Sequence, residues 1–347
     1  MAPDYLRRIK QAGRVLLKGS SFSPKLRDVP AITLEEVVEA KEFFPLEKFF
    51  IFGHARSGTT LLTRLIRVHP KVYCNYQAHF FTRAPLLESL VNNESIGLWL
   101  GRRSNRWNQG RDLSPLVLRA ASDFIMERDA RAAGKGSPGC LVGDKSPNSL
   151  LNAEAVHLMK KIYPDAMLVF IVRDGRDALL SHRFQAFIDN PQSLSKEDLR
   201  IRREFSQNPE PYLTGQRSIF TEKRLRHGAA GWARNVIETD LAAQECLGDQ
   251  YYHLRYEDLL EDPHAEMNKL WKFLGVDPKT PGNEDALSAE LGRNPDADWQ
   301  RHKAGDIAGA LEKGKAGSWR ELFTERDKEI FYEAAGDALV VWGYVEQ

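Results

Sequence analysis

The stretch that decides the fold is Phe49-Phe50-Ile51-Phe52-Gly53-His54-Ala55-Arg56-Ser57-Gly58-Thr59-Thr60, followed by Leu61-Leu62-Thr63-Arg64-Leu65-Ile66. Its first part is apolar and aromatic, which predicts a buried strand. Apolar residues at 61, 62, 65 and 66 have the spacing of one helix face, and glycines bracket the turn before them. Because the first N–H groups of a helix lack partners and lie at the positive end of its dipole, this arrangement predicts an anion-binding site.

The glycine spacing is close to that of a Walker A loop, Gly-x-x-x-x-Gly-Lys-Ser/Thr, with one difference. Thr59 occupies the position of the Walker lysine, and the cation, Arg56, lies inside the loop. Since the Walker lysine reaches the β- and γ-phosphates, its absence disfavours triphosphate chemistry and leaves room for a 5′-phosphate group bound without a metal. The alternative is an ordinary glycine-containing turn, because such short motifs also occur by chance.

A second buried-type strand, at 167–172, ends in the charged turn Arg173-Asp174-Gly175-Arg176-Asp177, and a helix containing Ser181 follows. Arg173 and Ser181 could converge on one anion, the arginine through its fork of N–H donors and the serine through its hydroxyl. The alternative is that Arg173 forms an ion pair with Asp174 or Asp177 at the start of the helix.

These two stretches together resemble the sulfotransferases that use 3′-phosphoadenosine 5′-phosphosulfate (PAPS). The segment Arg56-Ser57-Gly58-Thr59-Thr60 is similar to the family's 5′-phosphosulfate loop, and Arg173 with Ser181 is similar to its 3′-phosphate site. By this resemblance, residues 56–60, Arg173 and Ser181 bind the donor.

Two further segments carry the same resemblance. In His253–Leu259 the family has a tyrosine near the adenine, and Tyr256 matches it. The segment Lys313–Trp319 is similar to the C-terminal loop that closes over the 3′-phosphate, which adds Lys313 and Gly314 to the donor-binding residues. Cytosolic members carry an arginine before that Lys-Gly pair, whereas this chain has Glu312.

Strands that alternate with helices predict a parallel sheet with helices on both faces and a nucleotide at the carboxyl ends of the strands. We therefore expect an α/β, three-layer P-loop-type fold with a central parallel sheet flanked by helices. Residues 46–347 are predicted to form a single sulfotransferase domain, preceded by an N-terminal helical extension over 1–45. In that extension, Thr33 and Glu36 form a predicted capping box.

The resemblance implies in-line, metal-free transfer of a sulfuryl group from PAPS to an acceptor hydroxyl or amine, with adenosine 3′,5′-bisphosphate (PAP) as product. Arg56, the N–H groups of residues 57–60 and the hydroxyls of Thr59 and Thr60 would meet the charge that develops on the leaving phosphate. Lys145 resembles the lysine that heparan sulfate and tyrosylprotein sulfotransferases place beside the transferring group. Its alternative is a surface lysine before a turn.

The general base is ambiguous. In the same families a glutamate follows the second strand, and the matching residue here is Gln77, which is a poor proton acceptor. His79 lies two residues further, on the same face if the strand continues, and an ordinary histidine pKa of about 6.5 suits a base near neutral pH. We expect His79 to be the base, with Asp144 as the alternative; a histidine satisfied by structural hydrogen bonds is the non-catalytic interpretation.

Composition bounds the class of protein. The net charge of +1 does not indicate a nucleic-acid-binding protein. No apolar run of roughly 18 residues predicts a membrane span, and the three cysteines show no metal-ligand or disulfide spacing. Eukaryotic Golgi sulfotransferases have an N-terminal membrane anchor, so the absence of such a segment leads us to expect a cytoplasmic protein.

The acceptor is open: a small molecule such as a phenol, a carbohydrate, a lipid or a peptide tyrosine would fit, with contacts expected in the unmatched segments 82–140 and 182–230. Two other functions stay open. One is a P-loop nucleotide kinase or triphosphatase, against which the missing Walker lysine speaks. The other is a non-catalytic nucleotide-binding homologue, which Gln77 and Glu312 keep possible.

Overall fold

The computed structural model of the protein describes residues 29–82, 90–91, 94–293 and 314–345. Within these ranges, five parallel strands form one sheet in the order β2-β3-β1-β4-β5. In chain order the strands are β1 Glu47–Gly53, β2 Val72–Tyr76, β3 Leu141–Lys145, β4 Met167–Val172 and β5 Tyr251–Arg255. The loop that leaves β1 therefore starts at the middle of the sheet. The predicted central parallel sheet is confirmed.

Successive residues of β1 enter two separate clusters of buried side chains. Phe50 and Phe52 belong to one cluster, and Phe49 and Ile51 belong to the other. Because neighbouring side chains of a strand point to opposite faces of the sheet, both faces are covered. This pattern makes the fold three-layered, as predicted.

Helices cover both faces of the sheet. The described helices are α1 Leu34–Phe43, α2 Thr59–Ile66, α3 Glu94–Gly101, α4 Ser114–Ala132, α5 Ala153–Ile162, α6 Gly175–Asp189, α7 Lys196–Gln207, α8 Glu210–Leu213, α9 Glu222–Leu247, α10 Tyr256–Glu261, α11 Pro263–Phe273, α12 Asn283–Leu291, α13 Trp319–Leu322 and α14 Glu325–Val341. Short 3₁₀ turns occur at Pro191–Ser193 and Gly248–Gln250. Helices α4, α5, α6, α9 and α14 pack on one face, and α2, α10, α11 and α12 pack on the other.

Helix α1 begins at the predicted capping box. The Thr33 hydroxyl accepts a hydrogen bond from the Glu36 N–H, and the Glu36 carboxylate accepts one from the Thr33 N–H, so two unpaired donors of the helix start are satisfied. The Ile32 N–H also donates to the Lys161 carbonyl, 2.9 Å away, which ties this segment to the end of α5. Residues 1–28 lie outside the described residues, and the boundary between an extension over 1–45 and a domain over 46–347 stays a prediction.

Candidate active site

The loop between β1 and α2 has the conformation expected of an anion-binding turn. Gly58 caps α2 in the left-handed region, with φ of 86°, and no side chain caps the helix. A Cβ at Gly58 would lie 2.1 Å from Cδ2 of Tyr256, so glycine is required both for its conformation and for its lack of a side chain. The N–H groups of the first turn of α2 are therefore left to a ligand or to solvent.

A cavity of about 440 Å³ lies in front of this helix start. We call it the arginine-lined cavity, because its described lining holds four arginines and no Asp or Glu. Its lining residues are Ala55, Arg56, Gly58, Thr59, Thr60, Leu61, Arg64, Gln77, His79, Pro147, Arg173, Ser181, Tyr256, Leu260, Leu291, Arg293 and Gly314. Arg64 and Arg293 form ion pairs with Glu290, so Arg56, Arg173 and the positive end of α2 are what suit the cavity to an anion.

Most of the predicted donor-binding residues line this cavity, and Ser57 is an exception. Its side chain is fully buried, and its N–H donates to the His54 carbonyl at 3.2 Å. The Ser57 hydroxyl has no hydrogen-bond partner among the described residues. Lys313 lies outside the described residues, whereas its neighbour Gly314 lines the cavity.

Arg173 and Ser181 meet at the cavity through Arg56. Arg56 Nε donates to Ser181 Oγ at 3.0 Å, and Arg173 Nη1 donates to the Arg56 carbonyl at 3.3 Å. Arg173 Nη2 donates to the Lys315 carbonyl at 2.9 Å. The third guanidinium nitrogen, Arg173 Nε, is buried and has no hydrogen-bond partner among the described residues. The sequence thus brings three predicted anion ligands to one place.

The alternative ion pair of Arg173 with its neighbouring aspartates does not form in the described residues. Asp174 pairs instead with Arg176, whose Nη2 lies 2.7 Å from Asp174 Oδ2. Asp177 accepts hydrogen bonds from the N–H groups of Gly317, at 2.6 Å, and Trp319, at 3.0 Å. Neither carboxylate therefore forms an ion pair with Arg173. Burial raises the pKa of Asp177, and the charge of Arg173 only partly offsets this effect.

The link from Asp177 to the C-terminal loop is a feature that the sequence did not predict. Asp177 joins α6 to the C-terminal loop, and the guanidinium of Arg176 reinforces the junction by lying 3.6 Å from the ring centre of Trp319. The charged turn after β4 was evident in the sequence, but no spacing linked it to a loop so distant in the chain.

Tyr256 joins three parts of the site. Its ring fills the space beside Gly58, its hydroxyl donates to the Gly314 carbonyl at 2.8 Å, and the Arg173 guanidinium lies 4.8 Å from its ring centre. It is also part of the hydrophobic cluster on the α2 face of the sheet. The side chain therefore has a packing role and lines the cavity at the same time.

Lys145, at the end of β3, is buried and is not the surface lysine of the alternative interpretation. Its Nζ donates to Thr60 Oγ1 at 3.3 Å and lies 5.0 Å from the ring centre of Tyr76. The parallel pairing of β3 with β1 aligns Lys145 with Ile51, two residues before the end of β1. The lysine is therefore held beside the start of α2.

The segment after β2 differs from the prediction. The strand ends at Tyr76, and Gln77 and His79 both adopt positive φ angles, of 57° and 55°, so the strand does not continue and its alternation cannot place His79. Hydrogen bonds from the neighbouring strand impose this turn: the N–H groups of Gln77, Ala78 and His79 donate to the Lys145 carbonyl, Asp144 Oδ1 and Ser146 Oγ. Gln77 and His79 nevertheless both line the cavity.

Asp144 and His79 have different surroundings. Asp144 is 1% exposed, and its two carboxylate oxygens accept from the Ala78 N–H and the Ser146 hydroxyl. Burial raises the pKa of this carboxyl to about 6. The His79 ring lies at the cavity, with Nδ1 2.9 Å from Thr82 Oγ1. This geometry favours Asp144 as a residue that positions the 77–79 turn.

The sheet, the glycine loop at its centre and the arginine-lined cavity define an α/β protein of P-loop type whose site is suited to anions. The chain belongs to the Sulfotransferase family, whose model matches residues 48–280. The family resemblance found in the sequence is thereby confirmed.

Two curated relatives are protein-tyrosine sulfotransferases by name. Protein-tyrosine sulfotransferase A of Caenorhabditis elegans is 31% identical over 245 residues, which cover 70% of this chain and 54% of that protein. Protein-tyrosine sulfotransferase 1 of Danio rerio is 25% identical over 243 residues, covering 70% and 55%. The chain thus spans about half the length of the curated relatives it matches.

Solved structures with a similar chain path include mouse sulfotransferase SULT7A1 complexed with PAP, with a TM-score of 0.45, 16% identity and coverage of 88% of this chain and 89% of that chain. A sulfotransferase from Alicyclobacillus acidocaldarius has a TM-score of 0.40 and 20% identity, covering 79% and 98%.

Two features of the described residues bear on other expectations. None of the described helices is long and apolar enough to cross a membrane. Within the same ranges, no three His, Cys, Asp or Glu side chains are grouped as metal ligands. The cytoplasmic location and the metal-free reaction stay predictions.

Proposed function

We propose that the protein is a sulfotransferase that moves a sulfuryl group from PAPS to a hydroxyl or amine of an acceptor and releases PAP. The observation that carries this proposal is the arginine-lined cavity at the uncapped N-terminus of α2, where Arg56 and Arg173 lie in a lining with no described carboxylate. PAPS carries a 5′-phosphosulfate and a 3′-phosphate, so it needs cations at two places. The cavity offers them at Arg56 and Arg173.

The described residues fit such a donor. At the 5′ end, Arg56, the hydroxyls of Thr59 and Thr60 and the N–H groups that open α2 would hold the phosphosulfate. At the 3′ end, Ser181 and Arg173 would hold the phosphate. Arg173 Nε supports this assignment, because a buried arginine donor with no described partner is costly unless a ligand accepts its hydrogen bond.

In the reaction, the bond between sulfur and the oxygen that bridges it to the 5′-phosphate breaks as a bond from the acceptor oxygen to sulfur forms. Such a loose, in-line transition state needs positioning and neutralisation rather than covalent catalysis. Arg56 and Lys145 would neutralise the charge that develops on the leaving phosphate. His79, whose ring lies at the cavity, would take the acceptor proton.

The acceptor is a separate part of the proposal. The names of the curated relatives make a tyrosine hydroxyl one acceptor to test. The sequence alone allows a small molecule, a carbohydrate or a lipid hydroxyl equally well. A nucleotide kinase is disfavoured, because Thr59 replaces the Walker lysine and Arg56 approaches from within the loop.

The test is release of PAP from PAPS, measured with a panel of phenols, sugars, lipid alcohols and tyrosine-containing peptides, in buffer with a metal chelator. We expect at least one acceptor to accelerate PAP release and to gain a sulfate group detectable by mass spectrometry. ATP hydrolysis that requires magnesium would overturn the proposal in favour of a triphosphatase. Tight PAP binding without turnover for any acceptor would favour a non-catalytic homologue.

A further inference from the structure

A second cavity, of about 1000 Å³, opens next to the arginine-lined cavity. We call it the helix cavity, because it lies between α6 and α9 and is closed by the start of α7, by residues 149–150 and by the start of α14. Its volume is at the upper end of the range for small-molecule sites. Nothing in the donor assignment uses it.

The two cavities share a wall. Arg56 and Ser181 line the arginine-lined cavity, whereas His54, two residues before Arg56, and His182, directly after Ser181, line the helix cavity. Likewise, Pro147 lines the first cavity and Ser149 lines the second. The helix cavity therefore ends close to Lys145 and Arg56, where the proposed transfer takes place.

The charge of the helix cavity is positive. Its lining holds five Lys or Arg side chains and three Asp or Glu side chains. Each carboxylate is already paired with arginine: Asp198 with Arg183 and Arg224, Glu222 with Arg226 and Arg326, and Glu197 with Arg200. Lys223 and Arg234 form no ion pair with any described residue. The unbalanced cations are thus on α9.

Helix α9 presents these cations along one face. Lys223, His227 and Arg234 recur at helical spacing, and Gly231 lies between the last two, at a point where an added Cβ would meet no atom within 4 Å. Asn235 Nδ2 donates to the Asn148 carbonyl at 2.9 Å, which fixes the Arg234 end beside the reaction site. Lys223 lies roughly 16 Å away along the helix axis, at 1.5 Å per residue.

The remaining lining is compatible with an amphiphilic ligand. Leu150 is 83% exposed at the reaction end, and Leu179 and Phe220 add apolar surface. Burial, together with the nearby charges of Arg56, Arg224 and Arg183, lowers the pKa of His182, so this region disfavours a further cation. Both features suit an apolar body that carries a negative charge.

We propose that the helix cavity binds the acceptor, and that the acceptor is a small molecule with an apolar body, a hydroxyl or amine and one anionic group held by Arg234 or Lys223. This inference rests on the proposed sulfotransfer. It adds the chemical class of acceptor and the residues that select it. The reacting group would enter between Leu150 and Arg234, toward Lys145.

Fluorescence titration with 1-anilinonaphthalene-8-sulfonate, an apolar body with one anion, tests the cavity directly. Its neutral analogue N-phenyl-1-naphthylamine is the reference probe, and both are titrated with and without saturating PAP. Gly231→Trp fills the open space and should abolish binding of both probes. Leu241→Trp, at an exposed position about two turns beyond Arg234 on the same helix and outside the cavity lining, should leave binding intact.

The charge variants test the anion site. Lys223→Gln or Arg234→Gln should weaken binding of the sulfonate about tenfold and leave the neutral analogue unchanged, since a hydrogen bond to a charged group is worth about one factor of ten or more. Lys272→Gln, an exposed lysine on the opposite side of the sheet, is the matched control. The folded state of each variant is checked by its thermal midpoint.

The inference would be overturned by a lack of sulfonate binding to the unmodified protein, by binding that survives Gly231→Trp, or by equal losses of the charged and neutral probes in the Lys223→Gln and Arg234→Gln variants. Displacement of the sulfonate by PAP would also overturn it, because the probe would then occupy the arginine-lined cavity. The proposed function is judged separately by calorimetric PAP binding. If PAP fails to bind while the probe results hold, sulfotransfer fails and the anion-binding cavity stands.

Discussion

The arginine-lined cavity and the helix cavity lie side by side and differ in volume, in the elements that line them and in their charged residues. The first is about 440 Å³ and is lined mainly by segments that follow the strands; no described carboxylate lines it, and Arg64 and Arg293 pair with Glu290 whereas Arg56 and Arg173 do not. The second is about 1000 Å³ and is lined mainly by two helices, with most of its arginines paired to carboxylates. The contrast indicates one cavity built for a fixed, multiply charged donor and another whose specificity depends on a few side chains.

The substitution with the largest expected effect is at His79, which lines the arginine-lined cavity. His79→Gln should lower turnover by about 10²–10⁴-fold, because the base that takes the proton from the acceptor hydroxyl is lost. PAP binding and probe binding should stay nearly unchanged. Steady-state kinetics with a responsive acceptor, together with PAP titration, measures this. A near-normal rate would move the base role to Asp144 or to the acceptor itself.

Lys145→Ala should lower turnover by about 10²–10³-fold, because a cation aimed at the leaving phosphate is lost. Donor binding should be largely retained, since Arg56 and Arg173 still hold the two phosphates. Single-turnover kinetics with PAPS separates the two effects, and Lys145→Arg should restore part of the rate. Unchanged turnover in the alanine variant would remove Lys145 from the reaction.

Arg173→Gln should act only on the arginine-lined cavity. We expect PAP to bind about 10–100-fold more weakly, because charge-assisted hydrogen bonds to the 3′-phosphate are lost, and 5′-AMP to lose much less. Ser181→Ala should change PAP binding in the same direction by less. If PAP and 5′-AMP lose affinity equally, the 3′-phosphate assignment is wrong. Sulfonate binding in the helix cavity serves as the internal control.

Asp144→Asn gives the smallest effect, on stability. The folded pKa of about 6 lies above the ordinary value of 3.8, so the folded state binds this proton more tightly and loses stability as pH rises from about 4 through 6. The cost above pH 6 is about 3 kcal/mol at most, from 1.36 kcal/mol per pKa unit. The amide carries no charge and should lose less stability over that window.

Urea unfolding of both proteins at about pH 4 and about pH 7 measures this difference. The gap between variant and unmodified protein should shift in favour of the variant at the higher pH. Parallel stability curves would mean that Asp144 titrates normally in the folded protein.

The sequence predicted the parts that depend on local patterns. The buried strand at Phe49–Phe52, the glycine turn and the Thr33 cap are encoded by neighbouring residues, and the strand at 167–172 lies where it was predicted. The convergence of Arg173, Ser181 and Arg56 also follows, because parallel strands bring their carboxyl ends to one edge of the sheet.

Other features depend on contacts between distant residues. The turn at Gln77 and His79 is set by hydrogen bonds to Asp144 and Ser146, so extending the period-2 pattern of β2 gave the wrong conformation. Asp177 acts on a C-terminal loop that no local pattern connects to it. The helix cavity also depends on long-range contacts, since its lining comes from helices that are far apart in the chain.

Calorimetric titration with PAP, 5′-AMP and ATP in the absence of metal tests the central claim most directly. We expect PAP to bind more tightly than 5′-AMP or ATP, because only PAP has both a 5′-phosphate for Arg56 and a 3′-phosphate for Arg173. A preference for ATP, or no binding of PAP, would contradict the assignment of the arginine-lined cavity as a donor site.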